Sequence, residues 1–270
     1  MSRSSSPAAR KSLGQHFLHD QSVLDRIAHA VGAADDELVI EIGPGTGQLT
    51  AALAERYRHI LALEVDERMV RHCRNRFRGI EHVQIIQADA RDADIGEMVS
   101  GYAGYRVAGN LPYFAANPII RRFLEHPPQP RDMVVMVQRE VAEEIAAPPG
   151  AYSLLSIGIQ VYAAAEVLFT VPPEAFDPPP KVVSAVVRIT PRHQPLVPAE
   201  DIDAFFTLVS RTFKNPRKQL RNALDRSTMV PEGTAREVLE AVGIDPTLRP
   251  ERLTIDDWRR LLQVTRTTDD

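Results

Sequence analysis

The chain has a single cysteine, Cys73, in 270 residues. Without a second thiol no intramolecular disulfide can form, which excludes the small disulfide-stapled scaffolds and makes a reducing cytoplasm the simplest compartment. The first eighteen residues are rich in Ser, Ala and Arg but lack a continuous apolar core. That excludes an ordinary secretory signal and predicts a loose tail over residues 1–19 that ends in a short motif. An uninterrupted apolar run of membrane-spanning length is lacking too. Residues 154–171 come nearest, but Gln160 and Glu166 break them and their β-branched content suits strands. The eight histidines show no convincing ligand pairing, and His16-x-x-His19 straddles an expected helix start, so no metal is expected. Repeats and long low-complexity tracts are missing as well. What remains is a soluble chain, 44% hydrophobic, able to bury a full core in one large domain plus a small one.

Net positive charge is also lacking. A formal charge of -4 opposes a nucleic-acid partner, because binding to phosphates rests on Lys and Arg. The distribution speaks differently. Arg211, Lys214, Arg217, Lys218 and Arg221 fall within eleven residues that hold no acid, interleaved with Phe213 and Asn215 and followed by Asn222. Such a segment suits a phosphate-gripping surface, with Arg217, Lys218 and Arg221 as its centre. Arg3, Arg10 and Lys11 precede the first carboxylate, Asp20. Residues 68–78 carry five arginines without an acid, and this run reads better as a solvated helix face.

Through the first two-thirds of the chain, strand and helix patterns alternate. Asp20 can cap a helix with Val23, Leu24, Ile27, Ala28 and Val31 on one face, closed by Gly32. Buried strands are expected at 38–42, 60–63, 83–87, 105–109 and 133–137, with helices at 49–57, after Asp66, at 118–125 and at 140–146. Strand, helix, strand in succession implies right-handed crossovers and a largely parallel α/β sheet covered on both sides. Residues 154–162 and 182–189 are strand-like with no helix between them, so the sheet is expected to end in an antiparallel pair. A polar, proline-bearing linker at 190–195 then leads to helical spacing at 202–213, 217–224, 234–242 and 255–264. The expected organisation is a tail and motif at 1–19, an α/β domain at 20–190 and a helical domain at 196–270.

In an open parallel sheet, ligands sit beyond the carboxyl ends of the strands. The first expected strand runs into Glu41-Ile42-Gly43-Pro44-Gly45-Thr46-Gly47, where glycines let a ligand approach the backbone. The spacing is G-x-G-x-G rather than the dinucleotide G-x-G-x-x-G, which favours S-adenosylmethionine over NAD. Glu64, at the end of the next strand, suits a pair of ribose hydroxyls. Asp89, at the end of the third, suits the cofactor's adenine amino group. Each acid alone also reads as a cap or surface charge; three strand ends in order favour the joint reading. Downstream lies Asn110-Leu111-Pro112-Tyr113. The exocyclic amine of adenine is a poor nucleophile, since its lone pair is delocalised into the ring. The Asn110 amide oxygen and the Leu111 carbonyl can accept both of its N–H bonds and localise that lone pair, with Pro112 fixing the turn and Tyr113 stacking on the base. The alternative for these four residues is a plain strand-to-loop turn in which Asn caps, Pro bends and Tyr packs.

With these motifs in order, residues 11–262 resemble the ribosomal RNA adenine N6-dimethyltransferases of the small-subunit type, relatives of the erythromycin-resistance methyltransferases and mitochondrial transcription factor B. Gly14-Gln15-His16-Phe17-Leu18 resembles the family's N-terminal motif, which closes over the cofactor and implies contacts from His16 and Leu18, although His16 stands where the family usually has Asn. The resemblance implies a Rossmann-like S-adenosylmethionine-dependent methyltransferase sheet, with Gly43, Gly45, Glu64, Asp89 and Asn110 at the cofactor. It implies Asn110, Leu111, Pro112 and Tyr113 at the chemistry. Phe176-Asp177-Pro178-Pro179-Pro180-Lys181-Val182-Val183-Ser184 resembles the segment whose aromatic, here Phe176, sandwiches the target base against Tyr113. Arg217-Lys218-Gln219-Leu220-Arg221-Asn222 resembles the RNA-contacting start of the helical domain. The loop at 148–153 is shorter than the family's. The implied activity is dimethylation of N6 of two adjacent adenosines in the 3′-terminal hairpin of small-subunit ribosomal RNA, by a cytoplasmic monomer with no membrane association that acts on the immature small subunit. Methylation of large-subunit RNA, or RNA binding without chemistry in an assembly factor, are the alternatives.

Overall fold

In the computed structural model of the protein, which describes Pro7, Arg10 and residues 15–266, the chain divides into two compact units. The first comprises the described residues up to Glu143 together with Ala164–Pro191; the second comprises Glu144–Ala163 and the described residues from Arg192 onward. Gly14 and Lys11 lie outside the described residues, as does most of the expected tail.

The first unit opens with β1 (Phe17–Leu18) and α1 (Gln21–Val31). It continues through β2 (Leu38–Ile42), α2 (Gln48–Ala54), β3 (Ile60–Glu64), α3 (Glu67–Arg76), β4 (Val83–Gln87), α4 (Ile95–Met98), β5 (Tyr105–Asn110), α5 (Ala116–Glu125) and β6 (Met133–Gln138). Helices α6 (Arg139–Ile145) and α7 (Leu154–Gln160) precede β7 (Ala163–Val171), β8 (Phe176–Asp177) and β9 (Ser184–Pro191). Helix α1 starts where Asp20 Oδ1 accepts from the amides of Ser22 and Val23, and it stops at Gly32, whose φ of 60° is left-handed. Its buried face is Val23, Leu24, Ile27, Ala28 and Val31.

Seven strands form one sheet in the order β4-β3-β2-β5-β6-β9-β7. Strands β4, β3, β2, β5 and β6 run parallel, and β9 pairs antiparallel to β6, with Val135 opposite Val187. All five residues of β2 and of β3 are buried, as a parallel sheet covered on both faces requires. Chain order reverses between β2 and β5, so a crevice opens beyond their carboxyl ends. At the opposite ends of the same strands lies an ionic cluster. Arg106 donates to Glu37 (2.9 Å) and to Asp132 (2.7 Å), and Arg131 also pairs with Glu37. A separate two-stranded ladder joins β1 to β8, Phe17 opposite Asp177 and Leu18 opposite Phe176.

The second unit packs α7 with α8 (Ile202–Phe213), α9 (Leu220–Asp225), α10 (Ala235–Ala241) and α11 (Ile255–Arg266). Phe205, Leu208, Leu220, Leu224, Leu239, Trp258 and Leu261 are buried in its core, with the Phe213 ring 5.8 Å from that of Trp258.

Two sequence expectations are corrected. Residues 154–162 are not a strand: α7 occupies 154–160, because Ser153 caps it and Ser156 bonds back to the Ser153 amide in a capping box. The antiparallel end of the sheet is instead β9 beside β6, with β7 outside it, and the segment 144–163 joins the helical unit rather than the α/β one. The helix expected from 217 begins only at Leu220, since Pro216, Arg217 and Lys218 form the turn before it.

Candidate active site at the carboxyl edge of the sheet

The glycine loop leaves β2 with Gly43, Gly45 and Gly47 at φ of 68°, 55° and 80°. Side chains other than Gly rarely adopt this region. Over Gly45 lies the Phe17 ring, 3.0 Å from where a Cβ would stand, so β1 and the loop meet only because position 45 has no side chain. The Gly45 amide donates to Glu64 Oε2 (3.2 Å) and the Asp66 amide to Glu64 Oε1 (2.9 Å). Glu64 is therefore a buried carboxylate fixed at the tip of β3, with each oxygen keeping a further lone pair. Burial pushes its pKa up.

Glu41, one position from the end of β2, is 1% exposed. Burial above all, with Glu64 adding to it, raises its pKa to about 7, and its Oε2 finds no hydrogen-bond partner among the described residues. Asp89, just past β4, is held by Arg91 through its side chain (2.5 Å) and its amide (2.9 Å), and these bonds keep its pKa low.

At the tip of β5, Asn110 Nδ2 donates to the His16 carbonyl (3.0 Å). This bond orients the amide and leaves Oδ1 as an acceptor. Gly109 sets the depth of that tip, because a Cβ there would stand 2.6 Å from the Ile42 carbonyl oxygen. The His16 ring donates from Nδ1 to the Pro178 carbonyl (2.7 Å) and lies nearly parallel to the Tyr113 ring, centroids 6.3 Å apart. Tyr113 Oη shares a hydrogen bond with Ser184 Oγ (2.9 Å).

One cleft is lined by His16, Leu18, Gly43, Gly45, Glu64, Asp89 and the four residues Asn110, Leu111, Pro112 and Tyr113. The structure thus gathers residues that the sequence spreads from position 16 to position 113. Phe176 is not among them. It is 3% exposed, stands opposite Leu18 in the β1–β8 ladder and packs into the core. Arg217, Lys218 and Arg221 belong to the second unit. The first two are exposed on the turn before α9; Arg221, in the first turn of α9, is half-buried, and its Nε has no partner among the described residues. The arginines of 68–78 are engaged locally: Arg68 with Asp66, Arg71 with Glu67, and Arg74 with the Ile85 carbonyl.

Sequence reasoning missed Arg76, which donates to the Thr46 carbonyl (2.6 Å) and to Gln48 Oε1 (3.0 Å) and so braces the glycine loop. It gave Ser184 as the last residue of the Phe176 segment but missed its bond to Tyr113. Neither carries a local signal. Gly109 did carry one: a glycine inside a strand marks a close backbone approach.

The set of groups fits S-adenosylmethionine. A buried carboxylate with lone pairs to spare suits two ribose hydroxyls, the left-handed glycines expose backbone, and the carboxylates of Glu41, Glu64 and Asp89 suit a positively charged ligand. Residues 7–266 match the family model described as ribosomal RNA adenine dimethylase. Among curated relatives, ribosomal RNA small subunit methyltransferase A of Pseudomonas aeruginosa is 40% identical over 255 residues, covering 94% of this chain and 93% of its own. The protein of that name from Geobacillus thermodenitrificans is 40% identical over 263 residues, covering 93% and 89%. Of solved structures, a dimethyladenosine transferase from Plasmodium falciparum superposes with a TM-score of 0.79 at 25% identity, covering 94% of this chain and 98% of its own. The 23S rRNA methyltransferase ErmE superposes with a TM-score of 0.72 at 25% identity, covering 94% and 100%. A strand order that opens a crevice at β2 and β5, acids at successive strand ends and an anchored Asn110 amide agree with these likenesses, and the chain belongs to the ribosomal RNA adenine dimethylase family.

Proposed function

We propose that this chain, an S-adenosylmethionine-dependent ribosomal RNA adenine N6-methyltransferase, dimethylates two adjacent adenosines in the 3′-terminal hairpin of small-subunit ribosomal RNA, acting on the immature small subunit as a cytoplasmic monomer. The observation that carries the reading is the Asn110 amide, fixed by its bond to the His16 carbonyl with Oδ1 left to accept. In this reading Asn110 Oδ1 and the Leu111 carbonyl accept the two N–H bonds of the target N6. They draw its lone pair out of conjugation, which is worth most where charge develops. Tyr113, steadied by Ser184, takes one face of the unstacked base. Glu64 holds the ribose hydroxyls of the cofactor, Asp89 its adenine amino group, and His16 and Leu18 close the near wall. The cofactor supplies an electron-poor methyl group. No side-chain base is needed, because the methylated nitrogen is acidic enough to release its proton to water.

Small-subunit RNA is favoured over large-subunit RNA because relatives at 40% identity carry the small-subunit name, whereas the likeness to ErmE is at 25%. Among the described residues no helix is long and apolar enough to cross a membrane. Incubating the purified protein and S-adenosylmethionine with small subunits from cells lacking this methylation, then mapping N6-methylated adenosines, tests the proposal. Dimethylation of the adjacent pair in the 3′-terminal hairpin is expected, and methyl groups confined to large-subunit RNA would overturn it. The RNA-gripping role of Arg217, Lys218 and Arg221 is tested by replacing all three with Gln. The log-affinity against log-salt slope should shrink by up to about 0.7–0.9 per lost phosphate contact, with cofactor affinity unchanged. An unchanged slope would move the phosphate-binding surface elsewhere.

A further inference from the structure

Tyr113 and Phe114 are neighbours in the turn between β5 and α5, and they are treated very differently. The hydroxyl of Tyr113 is tied to Ser184, whereas Phe114 is 66% exposed while lining the same cleft. Of the large apolar side chains exposed among the described residues, Phe114 is the most exposed and the only aromatic; the others are Val, Ile and Leu. A single exposed apolar residue is ordinary. An aromatic face held at the mouth of a cleft that takes an unstacked base is a different matter. Bringing one adenosine into the cleft breaks its stack on the adjacent adenosine, and the neighbour is left with an apolar face in water. Base on aromatic ring is the sequence-tolerant means of covering such a face. We infer that Phe114 is a stacking platform for the nucleotide next to the target. The inference rests on the function proposed above.

The test uses the full chain with a hairpin carrying the two adjacent adenosines, and 2-aminopurine placed in turn at each position flanking the target. Binding of the unaltered protein should quench 2-aminopurine at one of these positions, and Phe114→Ala should abolish that quenching. Alanine should raise the Kd for the hairpin about 5- to 150-fold, the range for one base stacked on an aromatic side chain. Phe114→Trp should keep both properties. Phe114→Leu, which keeps apolar area but not the π-face, should behave like alanine, and cofactor affinity should stay the same in all three. Equal quenching and affinity in the alanine variant would overturn the inference, as would a leucine variant equal to the unaltered protein, since the ring would then offer only general apolar contact. These failures, seen while the unaltered protein still dimethylates the hairpin, leave the proposed function standing. Small subunits whose adjacent adenosines the unaltered protein does not methylate would remove both.

Discussion

The two ends of the same parallel strands handle buried acids in opposite ways. At the amino end, Glu37 and Asp132 are matched by Arg106 and Arg131, and the Ala34 amide also donates to Glu37. At the carboxyl end, Glu41 and Glu64 are buried within reach of each other's field, and Glu64 is held by amides alone. One end spends its charges on holding strands together. The other keeps carboxylates short of cationic partners, so that a cationic ligand completes them. The lesson concerns tolerance: the first end should reveal itself in stability, the second in binding and turnover.

The largest effect is expected where the matched cluster is broken. Arg106→Ala leaves Asp132 without its cation, and thermal or urea unfolding should show a loss of about 3 kcal/mol, the lower end for removing one partner of a buried pair because Arg106 keeps some exposure. A loss below about 1 kcal/mol would show that the cluster contributes no more than surface pairs do. At the opposite end, Asn110→Ala should lower turnover on the order of 10²-fold with unfolding little changed. Turnover within a few-fold of the unaltered protein would remove Asn110 from the chemistry. Glu64→Ala should weaken S-adenosylmethionine by about 1.5–3 kcal/mol, measured by calorimetry, the range for hydrogen bonds to a charged group. Unchanged affinity in a folded variant would reject its role.

A further effect is one of pH, and Glu41 and Glu37 should show opposite signs. Glu41 has a native pKa of about 7 against an ordinary 4.5, so between these values the native chain binds more protons than the unfolded one. Its contribution is full below pH 4.5 and is lost as pH rises towards 7, up to about 3 kcal/mol. Glu37 is held low by the Ala34 amide and Arg106 against the cost of burial, so its contribution is lost as pH falls. Replacing Glu41 by Gln should therefore give a Tm that gains on the unaltered protein as pH goes from 4.5 to 7. A Tm difference flat across that window would mean that the carboxyl of Glu41 is not the strained group.

The parts of the fold that were legible in sequence are those set by local rules. Asp20 and Gly32 bound α1, and the apolar period of α8 gives its limits as 202 and 213. The strand ends carrying Glu64 and Asn110 were legible because buried parallel strands read as apolar runs that stop where the acid or amide begins, whereas Asp89 follows the half-exposed β4. Residues 154–160 misled because their β-branched content favours a strand while a Ser153–Ser156 capping box decides for a helix. Strands β1 and β8 have two residues each and no period to read. The burial of Phe176 and the brace from Arg76 to Thr46 depend on contacts across the chain, which no window of sequence contains.

The tie between His16 and Pro178 spans 162 positions of chain. During synthesis the near wall of the cleft emerges first and waits for its partner, the segment after β7, until most of the chain has been made. Bringing together ends so far apart costs loop entropy that is recovered only after the intervening strands have paired. A nascent or truncated chain that lacks residues 176–178 would therefore hold the glycine loop, Glu64 and Asn110 and still lack a closed cleft. Completion of the site marks completion of the sheet.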